Sequence, residues 1–338
     1  MNDATAPTAT QYVAFESPTS RRGQHVGVCA AGALTLVLLV LTLGGGGRRL
    51  VMPLGWLLVG SAAEFEPVRA CVFLHGAGNP DSRPATASYN EYWGSVHDRT
   101  EGCARHYFLH EDTLRVGWED AMLQRAVCAL LDEAAQPPTQ QLVIFAHSMG
   151  NLVLAAALDS GLCTLPPSAA WYAIAAPWSG SKAADALATL CAAADAGPLR
   201  SLVRRQRFCE GEGSGPSPGY ASLVTASNRR ERVAARVQER INGSMCGDSA
   251  FGLWSVDSLE LQALAEVAGF ASPNDGAVAV SGCHPGDQPT ARVPGATHFT
   301  AAVNHLDLTC RHGDGVWGGE DRRPCAWYAA RSSRANER

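Results

Sequence analysis

The segment between residues 142 and 158 constrains the fold of this 338-residue chain more than any other. The apolar run Leu142–Phe145 predicts a buried strand, and residues 151–158 predict a helix. Small residues stand two positions before and two after Ser148 in the intervening AHSMG, so the chain can turn sharply there. Such a turn exposes the serine hydroxyl at the carboxyl edge of a sheet and aims the helix N-terminus at it. The segment predicts a nucleophilic serine, with an ordinary strand-to-helix turn as the alternative.

Strand and helix patterns alternate on both sides of this segment. Residues 68–74 and 171–175 are short apolar runs that predict strands, and residues 276–280 read as a region near a strand edge. Residues 119–135 carry apolar side chains at helical spacing and stop before two prolines. Strands that alternate with helices imply a mostly parallel central sheet with helices on both faces, which is an α/β fold.

The pattern changes between residues 183 and 270, where arginine-rich helical stretches surround a loop rich in Gly, Ser and Pro. We interpret this region as a helical cap or lid inserted over the sheet; an ordinary solvated helical flank is the alternative. Residues 313–338 show no apolar periodicity and are predicted to be a C-terminal tail. The main domain is therefore expected to span residues 66–312.

The N-terminal region predicts a membrane attachment. Residues 26–43 contain no charged side chain, and a transmembrane signal-anchor is expected over residues 25–47. A disordered tail, residues 1–24, precedes it, and an apolar linker, residues 48–65, follows. Because the linker contains the small residues Ser-Ala-Ala, cleavage and secretion are the alternative. The protein is thus expected to be single-pass, with its catalytic domain lumenal or extracellular.

The cysteine count supports an oxidising compartment. The chain has eleven cysteines, and ten of them lie beyond Cys29, which stands in the apolar segment. An even number after a targeting segment predicts disulfides, although Cys71 and Cys128 lie in apolar runs where free buried thiols are the alternative. The sequon at residues 242–244 permits N-glycosylation in the same compartment.

Several classes of partner are disfavoured. The formal net charge of −5 argues against nucleic-acid binding, which needs a basic patch. Closely spaced cysteine pairs of the zinc-binding type are missing from the sequence, and neither a metal nor another cofactor is predicted. No obligate protein partner is evident.

A second catalytic feature ends the first strand. Residues 75–78 read His-Gly-Ala-Gly, and in this arrangement a backbone N–H of the turn and the N–H after the nucleophile converge on one oxygen. These donors are Ala77 and Met149. Together with Ser148 they predict an oxyanion hole.

With these motifs the chain resembles the α/β-hydrolase superfamily, and within it lipases and esterases such as the secreted bacterial lipases and lecithin:cholesterol-acyltransferase-like enzymes. The AHSMG elbow, the APWSGS turn at residues 176–181, NDGAV at residues 274–278 and NHLD at residues 304–307 carry the resemblance. It covers approximately residues 68–310, with serine, aspartate and histidine in the superfamily's order.

The resemblance implies catalytic roles for residues in three of these motifs. Ser148 would be the nucleophile, His305 the base and Asp275 the acid that orients it. His298 is the rival base, because it also follows a plausible last strand. Asp307 corresponds to an aspartate that helps hold calcium in bacterial lipases, but the other ligands are not identifiable. His147 is expected to be structural.

The leading function is a serine hydrolase that cleaves carboxylic esters, in particular lipid esters, through an acyl-enzyme. The substrate would be a lipid or a small ester. A lipid acyltransferase with the same acyl-enzyme is the second hypothesis, because only the acceptor differs. A catalytically silent binding protein on the same fold is the third.

Overall fold

The computed structural model describes residues 68–137, 140–193, 207–210 and 215–333. Within them, six parallel strands form one sheet in the order β2-β1-β3-β4-β5-β6. The strands are β1 (Arg69–Leu74), β2 (Arg105–Phe108), β3 (Gln141–His147), β4 (Ala170–Ile174), β5 (Ile241–Gly247) and β6 (His298–Ala301). The helices are α1 (Asn90–Trp93), α2 (Ala121–Ala134), α3 (Met149–Asp159), α4 (Lys182–Ala192), α5 (Pro218–Ala221), α6 (Asn228–Val237), α7 (Val256–Ala268) and α8 (Pro324–Ser333).

Alternate residues of the central strands fill two apolar layers, one on each face of the sheet. In β1, Val72 and Leu74 pack with residues of α2 and α3, whereas Phe73 packs on the other face with Trp93 and Tyr328. This is the side-chain alternation expected of an extended strand, and all six residues of β1 are buried because helices cover both faces. The layers and the strand order confirm the predicted α/β-hydrolase fold.

Helix α2 illustrates how the sequence sets the elements. Its N-cap is Asp120, whose Oδ1 accepts hydrogen bonds from the backbone N–H groups of Met122 and Leu123, each at 2.8 Å. The helix runs from residue 121 to residue 134, within the predicted 119–135. The strands predicted at 68–74 and 171–175 are also present, as β1 and β4.

The predicted insertion at residues 183–270 needs a correction, because β5 lies inside it and belongs to the sheet between β4 and β6. Of the remaining elements, α6 packs against α3 on the flank of the sheet, whereas α4 packs against α7. The arginine-rich helix α6 therefore lies on the flank, and α4, α5 and α7 remain as the predicted cap. Residues 276–280 form no strand; a single bridge joins Asn274 to Ala279 before a short 3-10 turn.

The interpretation of residues 313–338 as a tail is also wrong for its larger part. Helix α8 lies there, and its Trp327 and Tyr328 are fully buried against the sheet. Contacts group the described residues, α8 included, into one unit, so α8 belongs with the main domain. The sequence shows little periodicity here because α8 spans only three turns and follows a Gly- and Arg-rich loop.

The predicted tail (1–24), signal-anchor (25–47) and linker (48–65) lie outside the described residues. Among the described residues, none of the helices combines the length and the hydropathy of a membrane-spanning segment.

All ten cysteines after residue 29 are paired, which confirms the disulfide prediction and excludes free thiols at Cys71 and Cys128. The pairs are Cys71–Cys103, Cys128–Cys163, Cys191–Cys209, Cys246–Cys283 and Cys310–Cys325. Five disulfides indicate a protein that folds outside the reducing cytosol.

N-glycosylation of the sequon receives no support from the structure. Asn242 lies within β5, where its Oδ1 accepts a hydrogen bond from the backbone N–H of Trp171 at 2.9 Å. Ser244, the third residue of the sequon, is fully buried. A sequon inside the sheet is not the surface loop that glycosylation normally modifies.

Candidate active site

Ser148 stands on a strained turn between β3 and α3. Its backbone has φ 52° and ψ −127°, a conformation that L-residues rarely adopt. The side-chain amide of the buried Asn151 holds the turn by donating to the carbonyl oxygens of Ala146 and Ser148, at 2.7 and 3.2 Å. A Cβ at Gly150 would lie 2.7 Å from the carbonyl oxygen of Leu74, so only glycine lets α3 approach β1. The predicted elbow is therefore present.

The structure brings the three predicted catalytic side chains together. His305 Nε2 lies 3.0 Å from Ser148 Oγ, and His305 Nδ1 lies 2.8 Å from Asp275 Oδ2. The other carboxylate oxygen of Asp275 accepts the backbone N–H groups of Ala277 and Val278, at 2.9 and 2.7 Å. These two bonds fix the carboxylate, which is only 1% exposed, so that one oxygen faces the imidazole.

The loop that carries His305 is fixed by a second buried carboxylate. Asp307 Oδ2 accepts the backbone N–H groups of Leu253 and Asn304, and its Oδ1 lies 2.7 Å from His312 Nδ1. The backbone N–H of His305 also donates to the carbonyl oxygen of Asp275 at 2.8 Å. Asp307 therefore already holds the chain around the histidine. Among the described residues, no group of three or more His, Cys, Asp or Glu side chains forms a metal site.

The predicted oxyanion donors flank Ser148. Ala77 and Ser148 line the same cavity, and Met149 directly follows the serine. Within the described residues neither the Ala77 nor the Met149 backbone N–H donates a hydrogen bond to another protein group. A Cβ at Gly76 would lie 2.6 Å from Ser148 Cβ, so the turn passes as close to the nucleophile as a backbone can. Two unpartnered donors next to the hydroxyl fit an oxyanion hole.

Thr113 holds the turn that carries Ala77. Its hydroxyl donates to the carbonyl oxygen of Gly76 at 2.7 Å and accepts the backbone N–H of Asn79 at 3.1 Å. Its carbonyl oxygen accepts the backbone N–H of Gly78 at 3.3 Å. Because Thr113 is 1% exposed, water does not compete for these bonds. The Ala77 amide is thus held in place before any substrate arrives.

A directed chain of hydrogen bonds joins this turn to the histidine loop. The backbone N–H of Gly76 donates to the Tyr92 hydroxyl oxygen at 2.7 Å, so the hydroxyl proton is free to go to His147 Nδ1 at 2.6 Å. His147 Nε2 then carries a proton and donates it to the carbonyl oxygen of His305 at 2.9 Å. The expected structural role of His147 is therefore to tie both loops to the elbow. No motif in the sequence marks Tyr92, because its role depends on contacts with segments that are distant along the chain.

Burial sets the protonation states of the side chains in this hydrogen-bond network. Burial and the neighbouring His305 hold the pKa of His147 well below its usual range, so it is neutral at physiological pH. Burial also raises the pKa of Tyr92, which keeps its proton for His147. Burial lowers the pKa of His75 to about 4, and its Nδ1 donates to the carbonyl oxygen of Gly76 at 2.9 Å.

The rival base, His298, lies elsewhere. It is the first residue of β6, whereas the site is at the carboxyl ends of the strands. Its Nδ1 lies 2.8 Å from the hydroxyl of Ser244, which also contacts His284 Nδ1 at 2.7 Å. Because parallel strands start at the opposite edge of the sheet, only His305 is brought to Ser148.

A mostly apolar cavity of about 160 Å³ opens beside Ser148 and His305. Its wall comes mainly from the cap: Leu187 of α4, Tyr220 of α5, and Leu261 and Leu264 of α7. An apolar cavity with few polar groups at one end is typical of a small-molecule site, and here the polar end is the predicted triad.

Comparisons with known proteins found no matching family profile and no matching curated protein. Similar solved structures include the mature lipase BlEst2 of Bacillus licheniformis, with 16% identity, a TM-score of 0.46 and coverage of 73% of this chain and 89% of that chain. They also include phospholipase PlaB of Legionella pneumophila (16%, 0.44, 64% and 46%) and the metagenomic carboxyl esterase MGS0156 (16%, 0.44, 78% and 74%).

The chain matches less than half of the length of PlaB, and 48% of BlEst2 in its propeptide form. These likenesses are too distant to indicate a substrate. This protein has the architecture of the α/β-hydrolase superfamily. Its strand order, the elbow after β3 and the order of serine, aspartate and histidine along the chain all agree with that architecture.

Proposed function

We propose that this protein is a serine hydrolase that cleaves carboxylic esters, with lipid esters as the substrate class. The proposal is carried by one observation: Ser148, His305 and Asp275 are joined by hydrogen bonds of 3.0 and 2.8 Å at the polar end of an apolar cavity. A nucleophile, a base within hydrogen-bond reach and an acid that orients the base are what acyl transfer requires.

In this mechanism His305 Nε2 takes the proton of Ser148 as Oγ attacks the ester carbonyl carbon. The carbonyl oxygen becomes an oxyanion, which accepts hydrogen bonds from the Ala77 and Met149 amides. His305 then gives its proton to the leaving alcohol, and an acyl-enzyme remains. Water then attacks the acyl-enzyme carbonyl while His305 takes its proton. His305 returns this proton to Ser148 Oγ as the carboxylic acid leaves. Asp275 keeps the proton on Nδ1 and stabilises the imidazolium.

The cavity supports an acyl chain as the buried part of the substrate. Leucines 187, 261 and 264 offer an apolar wall with no charge to repel an alkyl chain. The predicted signal-anchor at residues 25–47 would hold the site near a bilayer, where such esters are concentrated. We therefore propose a membrane-attached enzyme whose domain faces the lumen or the exterior.

Labelling with a fluorophosphonate tests the reaction class. The full chain is expressed through an oxidising compartment and purified in detergent. The purified protein is then labelled with the probe and assayed with esters of short and long acyl chains. We expect labelling and turnover in the wild type and neither in Ser148→Ala. His305→Ala should lower turnover by about 10⁴-fold or more, whereas the matched variant His298→Ala should stay close to the wild type.

The alternatives give different results. If the folded wild type neither labels nor hydrolyses any ester, the hydrolase proposal is wrong and a binding protein takes its place. If His298→Ala abolishes turnover while His305→Ala does not, the assignment of the base is wrong. If a lipid alcohol in the assay receives most of the acyl groups, the enzyme is an acyltransferase with the same acyl-enzyme.

A further inference from the structure

Helix α5 places one tyrosine next to the oxyanion turn. Tyr220 lines the cavity together with Ala77 and Ser148. A Cβ at Gly78 would collide with the Tyr220 hydroxyl oxygen, so this oxygen lies against the backbone that follows Ala77. Gly78 also has φ 106°, which only glycine adopts readily. The glycine at residue 78 therefore leaves space for a hydroxyl group beside the oxyanion hole.

The Tyr220 hydroxyl has no partner within the described part of the chain. Its ring is held by an edge contact with Phe208, whose ring centroid is 5.0 Å away. Burial raises the pKa of Tyr220 above its ordinary value, so the hydroxyl keeps its proton at physiological pH. Tyr220 is only partly buried, and its side chain lines the cavity beside Ser148, so a bound substrate can reach its hydroxyl.

Helix α5 is attached to both segments that carry the oxyanion donors. The backbone N–H of Gly219 donates to the carbonyl oxygen of Leu114 at 3.0 Å, and a Cβ at Gly219 would collide with the carbonyl oxygen of Thr113. Thr113 is also the residue that holds the Ala77 turn. On the other side, the Ser222 hydroxyl lies 3.6 Å from the sulfur of Met149. The hydroxyl of Tyr220 is thus fixed relative to both amides.

We propose that the Tyr220 hydroxyl donates a third hydrogen bond to the oxyanion that forms when Ser148 attacks the ester carbonyl. This inference rests on the proposed hydrolase function and adds a side-chain donor to the Ala77 and Met149 amides. Tyr220 transfers no proton: it donates a hydrogen bond that strengthens as charge develops on the carbonyl oxygen. A neutral donor that is already in position stabilises the transition state more than the neutral ester.

The test compares Tyr220→Phe with Tyr107→Phe in the full-length protein. Tyr107 lies in the edge strand β2, outside the cavity, and its variant controls for the loss of a partly buried tyrosine hydroxyl. For an acetate and an octanoate ester we expect kcat of Tyr220→Phe to fall by about 10²-fold, with KM changed by less than about threefold. The rate of fluorophosphonate labelling should fall with kcat, because its transition state carries similar charge.

Stability separates this role from a structural one. Because the hydroxyl has no partner to lose, Tyr220→Phe should unfold at the same temperature as the wild type or slightly above it. A fall in kcat of less than about fivefold, or an effect confined to KM or to the octanoate ester, would overturn the proposal and make Tyr220 part of the acyl wall. An inactive wild type would instead refute the hydrolase function itself.

Discussion

Replacing Asp275 by asparagine tests the triad most sharply, because the structure fixes how the new amide must lie. Asp275 Oδ1 accepts two backbone N–H groups, from Ala277 and Val278, and an NH₂ group cannot replace an oxygen there. The amide oxygen of the asparagine therefore takes this place, and its NH₂ group faces His305 Nδ1. The imidazole must then accept at Nδ1 and carry its proton on Nε2, towards Ser148.

In this tautomer Nε2, the nitrogen that faces Ser148, has no lone pair with which to take the serine proton. We expect kcat of Asp275→Asn to fall by about 10⁴-fold, which corresponds to about 5.4 kcal/mol in the activation free energy. The free energy of unfolding should change little, because both backbone hydrogen bonds are retained. Initial rates with a chromogenic short-chain ester at pH 8 measure the first quantity, and urea unfolding measures the second.

Asp120→Asn is the matched control. Asp120 Oδ1 also accepts two backbone N–H groups, but it caps α2 away from the cavity, and asparagine is an equally good N-cap. This variant should keep wild-type activity and stability. If Asp275→Asn retained more than about a tenth of the wild-type kcat, the argument from the tautomer would be refuted.

Three further predictions concern the surroundings of the site. Gly76→Ala places a methyl group 2.6 Å from Ser148 Cβ, so we expect kcat/KM to fall by about 10²-fold in ester assays, and an active variant would contradict the close approach. Buried His75 is neutral in the folded protein and becomes protonated on unfolding below pH 6.5, so its contribution to stability is complete above pH 6.5 and is lost towards pH 4. Between pH 7 and pH 5 the free energy of unfolding should therefore fall by about 2 kcal/mol less in His75→Asn than in the wild type, as measured by urea unfolding. The fall that remains in the variant comes from other buried histidines such as His147. Replacing Cys310 and Cys325 by serine opens a loop with a sequence separation of 15 and should cost about 3 kcal/mol in urea unfolding, whereas an unchanged midpoint would show that the loop is held by its other contacts.

The strands and helices that could be predicted from the sequence are those with continuous apolar runs. Strands β1 and β3 are buried on both faces and contain little but apolar residues, so their sequences alone indicate them. Strand β5, Ile-Asn-Gly-Ser-Met-Cys-Gly, contains two glycines and two polar residues, and it is a strand because β4 and β6 pair with it. Here the tertiary context overrides a weak local preference.

The residues of the candidate site likewise fall into those that a local sequence motif predicts and those that only the folded structure identifies. Ser148, Asp275 and His305 stand in short motifs with a local sequence context, and the structure brings them together as the resemblance implied. Tyr92 and Tyr220 reach the site from segments without such a motif, and only the folded chain shows what their hydroxyl groups face. Residues that meet at a site from distant parts of the chain leave no recognisable pattern in a single sequence.

Two of the disulfides lie next to the segments that carry Asp275 and His305. Cys246–Cys283 joins β5 to the loop that follows Asp275, and Cys310–Cys325 anchors the chain just after His305. Asp275 therefore lies within a loop that one disulfide closes, whereas His305 lies just before the first cysteine of a second disulfide. With these cysteines reduced, we expect the segments that carry Asp275 and His305 to be held less firmly against Ser148. If the proposed function is correct, oxidative folding would therefore also complete the geometry on which ester hydrolysis depends.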